Sequence, residues 1–307
     1  MLDSARIPIQ CEGPLAAPKI VGIVYNPISP EAVLMAKKIR DDLCLVGNAW
    51  IEEIGSDGGL RSDMCKTDML ITVGGDGTIL RAARAVVGQA IPILGINLGR
   101  LGFMTELRSE DAFERIPHFL AGGGWTEQRS TLEVMVSRNG RPITLGDTEF
   151  QIALNDVVLA RGAKPRLMRA KAFVDGAEFT SYRADAVIIS SATGSTGYNL
   201  AVGGPILHPT ADEMILKPVA PHVGLATAVV LPATSEVELL IQSDHDSVLS
   251  VDGFLEFPLQ IEDVIKVKHS EQSVSFIREG SRRRFYDTLM RRLGFESGIG
   301  SGRAIFY

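Results

Sequence analysis

Residues 69–73 (MLITV) form a short apolar run of the kind that suits a strand buried on both faces. The run stops abruptly at Gly74-Gly75-Asp76-Gly77-Thr78, and Ile79, Leu80, Ala83 and Val87 then follow at helical spacing. A buried strand that turns through glycines directly into a helix is the repeating unit of a parallel sheet. The flanking sequence repeats the theme. Residues 20–25 (IVGIVY) end at the turn signal Asn26-Pro27, and Ala32, Met35, Ala36, Ile39 and Leu43 follow with helical period. Residues 48–54 and 91–96 read as further strands, and residues 110–121 as an amphipathic helix ended by Gly122-Gly123-Gly124.

After that glycine run the period changes from helical to alternating. Residues 132–136, 152–160, 171–174, 177–182, 227–231, 237–241, 248–251, 254–257, 264–268 and 274–277 read as strands. Asp175-Gly176 and Asp252-Gly253 mark hairpins. The pattern predicts a Rossmann-like parallel α/β N-terminal domain followed by an all-β, sandwich-like C-terminal domain. The expected segments are a loose leader over 1–18, the α/β domain over 19–126, the β-rich domain over 127–280, and a helix within 281–307 that leaves the β domain. At 307 residues the chain has room for two cores.

Composition removes several classes of partner. With 31 Lys+Arg against 37 Asp+Glu, the net charge of −6 argues against a chain-wide basic face for nucleic acid or anionic membrane. No apolar stretch reaches the ~18 residues of a membrane span, and no signal peptide is evident. Cys11, Cys44 and Cys65 form no CxxC pair and suit thiols in a reducing, cytoplasmic setting. The five histidines show no metal spacing.

Three segments carry chemistry. In Gly74-Gly75-Asp76-Gly77-Thr78, glycines and a helix N-terminus suit a phosphate. A carboxylate there is repelled by phosphate unless it has a task. Asp76 can N-cap the helix, bind Mg²⁺ or accept a proton from a hydroxyl. Asn155-Asp156 interrupts an apolar strand and suits recognition of hydroxyl and amino groups, or a bulge with internal hydrogen bonds. The Thr193-Gly194-Ser195-Thr196-Gly197-Tyr198 segment follows Asp185 and an apolar run, as another loop suited to phosphate or nucleoside. Arg81, Arg84 and Arg100 lie near these motifs in sequence, while the arginines at 282–284 and 291–292 suit a solvated last helix or an interface. No Walker-type or GxGxxG fingerprint is present.

Together VGGDGTILRAAR (73–84), GINLGRLGFMTE (95–106), ALNDVVLARG (153–162) and ATGSTGYNLAVGGPILHP (192–209) resemble the NAD kinase family. GGDGT alone is shared with lipid and phosphofructo-kinase relatives, and the TGSTGY block with LND makes the match specific. The resemblance implies phosphoryl transfer from ATP or polyphosphate to the adenosine-ribose 2′-hydroxyl of NAD, a divalent metal (Mg²⁺), a C-terminal helix within 281–307 returning to the first domain, and a homodimer or homotetramer. It implies Asp76 as proton acceptor and Gly74, Gly75, Gly77 and Thr78 as the phosphate-donor loop. It implies NAD-binding roles for Asp76, Gly77, Arg81, Phe103, Asn155, Asp156, Arg166, Arg183, Asp185, Thr193, Thr196, Gly197, Tyr198 and Ala201. Two positions depart from the family's pattern. The segment from His222 to Ala228 lacks an Arg-Pro, and Phe254 follows Asp252-Gly253 where glutamine is usual. A lipid kinase of the same superfamily and a catalytically silent NAD sensor are the alternatives. The first lacks a basic amphipathic helix, and the second has no use for Asp76.

Overall fold

Many strands in the C-terminal half alternate buried apolar with more exposed residues, and the described helices of the N-terminal half each bury one apolar face, so both halves are layered. A computed structural model describes residues 12–42, 48–55, 60, 66–99, 102–164, 166–280 and 284–293. The three cysteines and Arg100 lie outside these residues. The N-terminal half runs β1 (Glu12–Pro14), β2 (Val21–Tyr25), α1 (Pro30–Asp42), β3 (Ala49–Glu53), β4 (Met69–Val73), α2 (Asp76–Val86), β5 (Ile93–Asn97), β6 (Leu107–Arg108) and α3 (Ala112–Leu120). Then come β7 (Trp125–Arg138), β8 (Arg141–Pro142), β9 (Phe150–Ala153), β10 (Asp156–Arg161), β11 (Met168–Val174), β12 (Ala177–Ala184) and β13 (Ala186–Ser190). After a 3-10 turn at Gly194–Thr196 come α4 (Tyr198–Ala201), β14 (Met214–Val219), β15 (Val229–Leu231), β16 (Glu236–Ile241), β17 (Ser247–Val251), β18 (Leu255–Leu259), β19 (Val264–Arg278) and α5 (Arg284–Arg292).

Strands β3, β2, β4 and β5 lie side by side and parallel in that order. Helices α1 and α3 cover one face, with Met35, Ile39, Ile116 and Phe119 against Ile23, Ile71 and Leu94. Helix α2 covers the other, with Ile79, Ala83 and Val86 against Leu70, Ile93 and Phe276. Burying a side chain of this size contributes about 1.5–3 kcal/mol. In the C-terminal half, β12, β11, β16, β19 and β7 form one antiparallel layer. Strands β15, β14, β13, β10, β17 and β18 form the other. Alternate residues of each layer, among them Val134, Leu239 and Val267 against Val157, Ile189 and Leu249, share the core between them.

Four details depart from the sequence reading. The stretch expected as a loose leader contributes β1, paired with β7 through Gly13↔Thr126. Residues 264–268 and 274–277 are one strand, β19, with an irregularity in register between His269 and Ser273. Residues 152–160 are two strands, because the chain leaves the β7 layer after β9 and joins the six-stranded layer as β10. Residues 214–219 form β14, which the sequence reading passed over.

The two halves share backbone. Strands β7 and β19 pair along their length, from Val264↔Ser137 to Arg278↔Trp125, and β19 ends alongside β5 at Phe276↔Ile93. At that crossing Glu127 Oε1 accepts hydrogen bonds from Arg129 Nε (2.8 Å) and Arg278 Nε (3.0 Å), all three side chains buried. Both guanidiniums also lie against the Phe276 ring, at 5.4 and 5.3 Å. Burial alone would raise the Glu127 carboxyl, yet the two arginines hold it at about 2. Burial brings Arg129 down to about 10, leaving it charged at neutral pH. Removing one partner of such a buried set leaves charge uncompensated, at a cost of about 3–5 kcal/mol. Glu127→Gln is expected to lose stability on that scale in urea unfolding, and a loss below about 1 kcal/mol would show that the network is dispensable.

Candidate active site

Strand β4 hands its last pairing to the glycine turn, where the Gly74 N–H donates to the Ile96 carbonyl at 3.0 Å. Gly75 is the N-cap of α2, with no side chain capping it, and Gly75 and Gly77 are exposed. Their amides thus stand open at the positive end of a helix. Thr78 turns inward and is buried. Asp76 does not cap its helix, which removes the simplest alternative for it. Its carboxylate instead accepts from the Phe103 N–H at 3.1 Å and the Met104 N–H at 3.4 Å, with Arg292 Nη2 at 3.7 Å. This seat needs glycine at 102, since a Cβ there would lie 1.9 Å from Asp76 Oδ1. Arg81, one turn along α2, has a buried Nε that finds no partner.

The Asn155-Asp156 motif sits where the chain bends between β9 and β10. The N–H groups of Leu154, Asn155 and Asp156 all donate to the Asp252 carboxylate, at 2.9, 2.7 and 3.0 Å. The strand breaks because those three amides serve a side chain rather than a neighbouring strand. Asp252 occupies the first position of the Asp252-Gly253 hairpin with φ 51°. Burial raises the Asp156 carboxyl to about 7, with the charge of Asp252 adding to it. Burial raises Asp252 to about 6, against the pull of its three amide donors. Asn155 Oδ1 is buried and unpartnered. Phe254, the departure from the family pattern, lies under the Arg84 guanidinium at 5.9 Å.

The Thr193–Tyr198 loop packs directly on this bend. The Ser191 N–H donates to the Asn155 carbonyl at 2.9 Å, and Ser191 Oγ to the Leu154 carbonyl at 2.5 Å. Only glycine fits at 194, where a Cβ would meet the Asn155 carbonyl oxygen at 2.1 Å. Gly197 faces the Asn155 and Asp156 side chains. Thr196 shares a cavity with Phe103, and α4 carries Tyr198 and Ala201 outward as exposed residues. Contacts thus link Asp76 to Phe103, Phe103 to Thr196, and Gly197 to Asn155 and Asp156, with Thr193 at the head of the same loop and Gly77 and Arg81 on α2.

Arg166, Arg183 and Asp185 lie apart from these residues. Asp156 pairs with Ser190 and Ala160 with Ala186, so Asp185 lies past the opposite end of β10, about 17 Å along the strand. There Asp185 pairs with Arg161 Nε at 2.8 Å, while Arg166 and Arg183 line a separate 410 Å³ pocket with Arg169 and His245. Conversely, sequence reasoning missed Asp252, read only as a turn former, and Arg129 and Arg278. Arg129 Nη1 donates to Thr193 Oγ1 at 3.3 Å, and Arg278 Nη1 to the Met104 carbonyl at 2.9 Å. Arginine in an otherwise alternating strand was their only signal.

A fixed carboxylate beside open glycine amides, at the C-terminal edge of a parallel sheet, belongs to a phosphotransferase acting on a small-molecule hydroxyl. Residues 45–124 match the ATP-NAD kinase N-terminal domain and residues 154–279 the ATP-NAD kinase C-terminal domain. The chain is 39 % identical over 276 residues to an NAD kinase of Dehalococcoides mccartyi, covering 90 % of this chain and 96 % of that protein. It is 35 % identical over 271 residues to that of Heliobacterium modesticaldum, covering 85 % and 94 %. A yeast NADH kinase complexed with NADH has the same fold, with a TM-score of 0.77 at 23 % identity over 95 % of this chain and 91 % of that one. So does an Archaeoglobus fulgidus NAD kinase in complex with ATP, at 0.69 and 24 % over 88 % and 98 %. The chain belongs to the NAD kinase family and is an enzyme.

The Asp156–Asp252 pair gives stability a pH dependence. Both carboxyls bind a proton more tightly folded than unfolded, so the folded chain carries extra protons from about pH 4 to about pH 7, and stability falls as pH rises through that window. Melting temperatures at pH 5 and pH 8 are expected to drop by several degrees for wild type and clearly less for Asp156→Asn. Equal drops in the two proteins would refute the pairing.

Proposed function

We propose that the protein transfers the γ-phosphate of ATP, or the terminal phosphate of polyphosphate, to the adenosine-ribose 2′-hydroxyl of NAD, giving NADP. One observation carries this reading. Asp76 is excused from helix capping, held by two backbone amides, and set beside the open Gly75 and Gly77 amides. The 2′-oxygen forms its bond to the γ-phosphorus as the bridge to the β-phosphate breaks, and its proton passes to the Asp76 carboxylate. Gly74, Gly75, Gly77 and Thr78 form the donor loop, with Arg81 beside it. Asn155 and Asp156 hold the nucleoside, and the unpartnered Asn155 Oδ1 suits a hydroxyl or amino donor. Phe103, Thr193, Thr196, Gly197, Tyr198 and Ala201 line the adenosine end.

Among the described residues no group of three His, Cys, Asp or Glu side chains is placed to hold a metal ion. A Mg²⁺ ion arriving on the donor's phosphates needs only one or two protein carboxylates, a need that Asp76 fits. Held there, such an ion would supply charge neutralisation for the transferred group. Arg166, Arg183 and Asp185 are assigned to NAD bound by a second copy, in a homodimer or homotetramer. Among the described residues no helix is long and apolar enough to cross a membrane. A cytoplasmic enzyme is in keeping with that and with the enzyme's soluble substrates.

Purified protein with NAD, ATP and Mg²⁺ is expected to form NADP. Asp76→Asn is expected to bind NAD as wild type does in calorimetry while turnover falls about 10²-fold or more, the scale of lost general-base help. Near-normal turnover in the variant would remove Asp76 from the reaction.

A further inference from the structure

Helix α2 carries Asp76 in its first turn, and Arg84 lies about 12 Å further along the same helix. From there Arg84 reaches into the C-terminal half. Its Nη2 donates to Gln151 Oε1 on β9 at 3.3 Å, and its guanidinium stands 5.9 Å from the centre of the Phe254 ring, just past the Asp252-Gly253 turn. Arg84 and Asp252 also line one cavity with Thr131 and Leu154, a space of about 10 Å³ that holds no more than a water. Burial raises the Asp252 carboxyl, and Arg84 joins the three amide donors in pulling it back down. Packing of α2 on the sheet does not need these contacts, since Ile79, Ala83 and Val86 supply it. One guanidinium on a helix of the first half thus meets two segments of the second that are distant from each other in sequence.

Resting on the kinase reading above, we propose that Arg84 is a positioning residue that fixes the Asn155-Asp156 bend relative to Asp76. The link has three parts. Asp76 and Arg84 share one helix. Arg84 meets Gln151 just before the bend, and Asp252 and Phe254 at the hairpin beside it. Asp252 in turn gathers the amides of Leu154, Asn155 and Asp156. In-line transfer needs the acceptor hydroxyl within reach of Asp76 and of the phosphorus together, and a misplacement of about 1 Å costs about 10²-fold in rate. Asp76 is anchored in one half and the bend in the other, so a side chain joining the two sets that distance. Arg84 acts through Asp252 and Gln151 rather than on the reacting atoms. Phe254, standing where the family has glutamine, gives this chain an apolar seat for the guanidinium. A lysine at 84 would keep the charge beside Asp252 but lose the planar fork that lies on the ring and donates to Gln151.

Calorimetry with NAD and NADP-formation kinetics on the full chain test the link together. Arg84→Gln is expected to bind NAD about tenfold more weakly, to raise the KM for NAD by about the same factor and to lower kcat about tenfold, with the KM for ATP within twofold of wild type. A residue needed only for folding would lower the melting temperature and the active fraction and leave both KM values alone. Arg84→Lys is expected to recover part of the loss, at about threefold weaker NAD binding, and carries the test if Arg84→Gln does not fold. In an Asp252→Asn background, where the link is already cut, Arg84→Gln should weaken NAD binding less than about twofold further. NAD affinity within twofold of wild type in Arg84→Gln, or in Arg84→Lys if it must stand in, would overturn the proposal. So would equal rises in the KM for NAD and for ATP, or a full tenfold loss on top of Asp252→Asn. The kinase reading fails differently: wild type then forms no NADP from either donor, while weakened NAD binding in Arg84→Gln still reports the link.

Discussion

Glu127, wedged between Arg129 and Arg278, is the interaction on which the rest of the site depends. It sits where the two longest strands cross from one half of the molecule to the other. Each arginine spends one arm on the glutamate and another on a functional loop. Arg278 reaches the Met104 carbonyl, next to the amides that hold Asp76, and Arg129 reaches Thr193 at the head of the glycine- and hydroxyl-rich loop. One carboxylate thus keeps two loops in a fixed relation through two guanidiniums, although those loops are nearly ninety residues apart. The arrangement is costly to desolvate and so makes a poor source of stability. It serves better to fix geometry.

Much of the architecture was legible because local signals agreed with the tertiary result. The MLITV run, the glycines after it and the helical period of α2 each pointed to the same strand-turn-helix unit, which the structure contains. The Asp175-Gly176 hairpin was equally plain, since both residues take positive φ, at 53° and 78°. The single strand expected over 152–160 failed for a reason that no window of sequence contains. Its break is made by the Asp252 carboxylate, about a hundred residues away, which draws three consecutive amides to itself. Likewise 264–278 read as two strands, because the polar stretch around Glu271 looks like a loop until β7 is laid against it.

The site divides along the same line. Asp76, Asn155-Asp156 and the Thr193–Tyr198 loop announce themselves because glycines, amides and carboxylates interrupt apolar runs. Phe103 entered only through the family's pattern, and the structure gives it a reason, since its backbone N–H holds Asp76 and its ring carries Arg292. Arg166, Arg183 and Asp185 came from the same pattern but fold to the far end of β10. Sequence order says nothing about which end of a strand faces the chemistry. Arg292 is the converse case. An arginine near the end of an amphipathic helix reads as solvated surface, and only the packing of Phe285 and Tyr286 turns it toward the carboxylate.

The long pairing of β7 with β19, irregular between His269 and Ser273, has a mechanical consequence. Many phosphotransferases exclude water by swinging one lobe against another about a flexible joint. Here the joint is a two-stranded ladder, hydrogen-bonded from Trp125 through Ser137 and stitched by buried ion pairs. Rotating the halves as rigid bodies would strain the hydrogen bonds of that ladder. Motion that shields reacting groups costs fewer backbone hydrogen bonds in the surface loops and α5 than in this ladder.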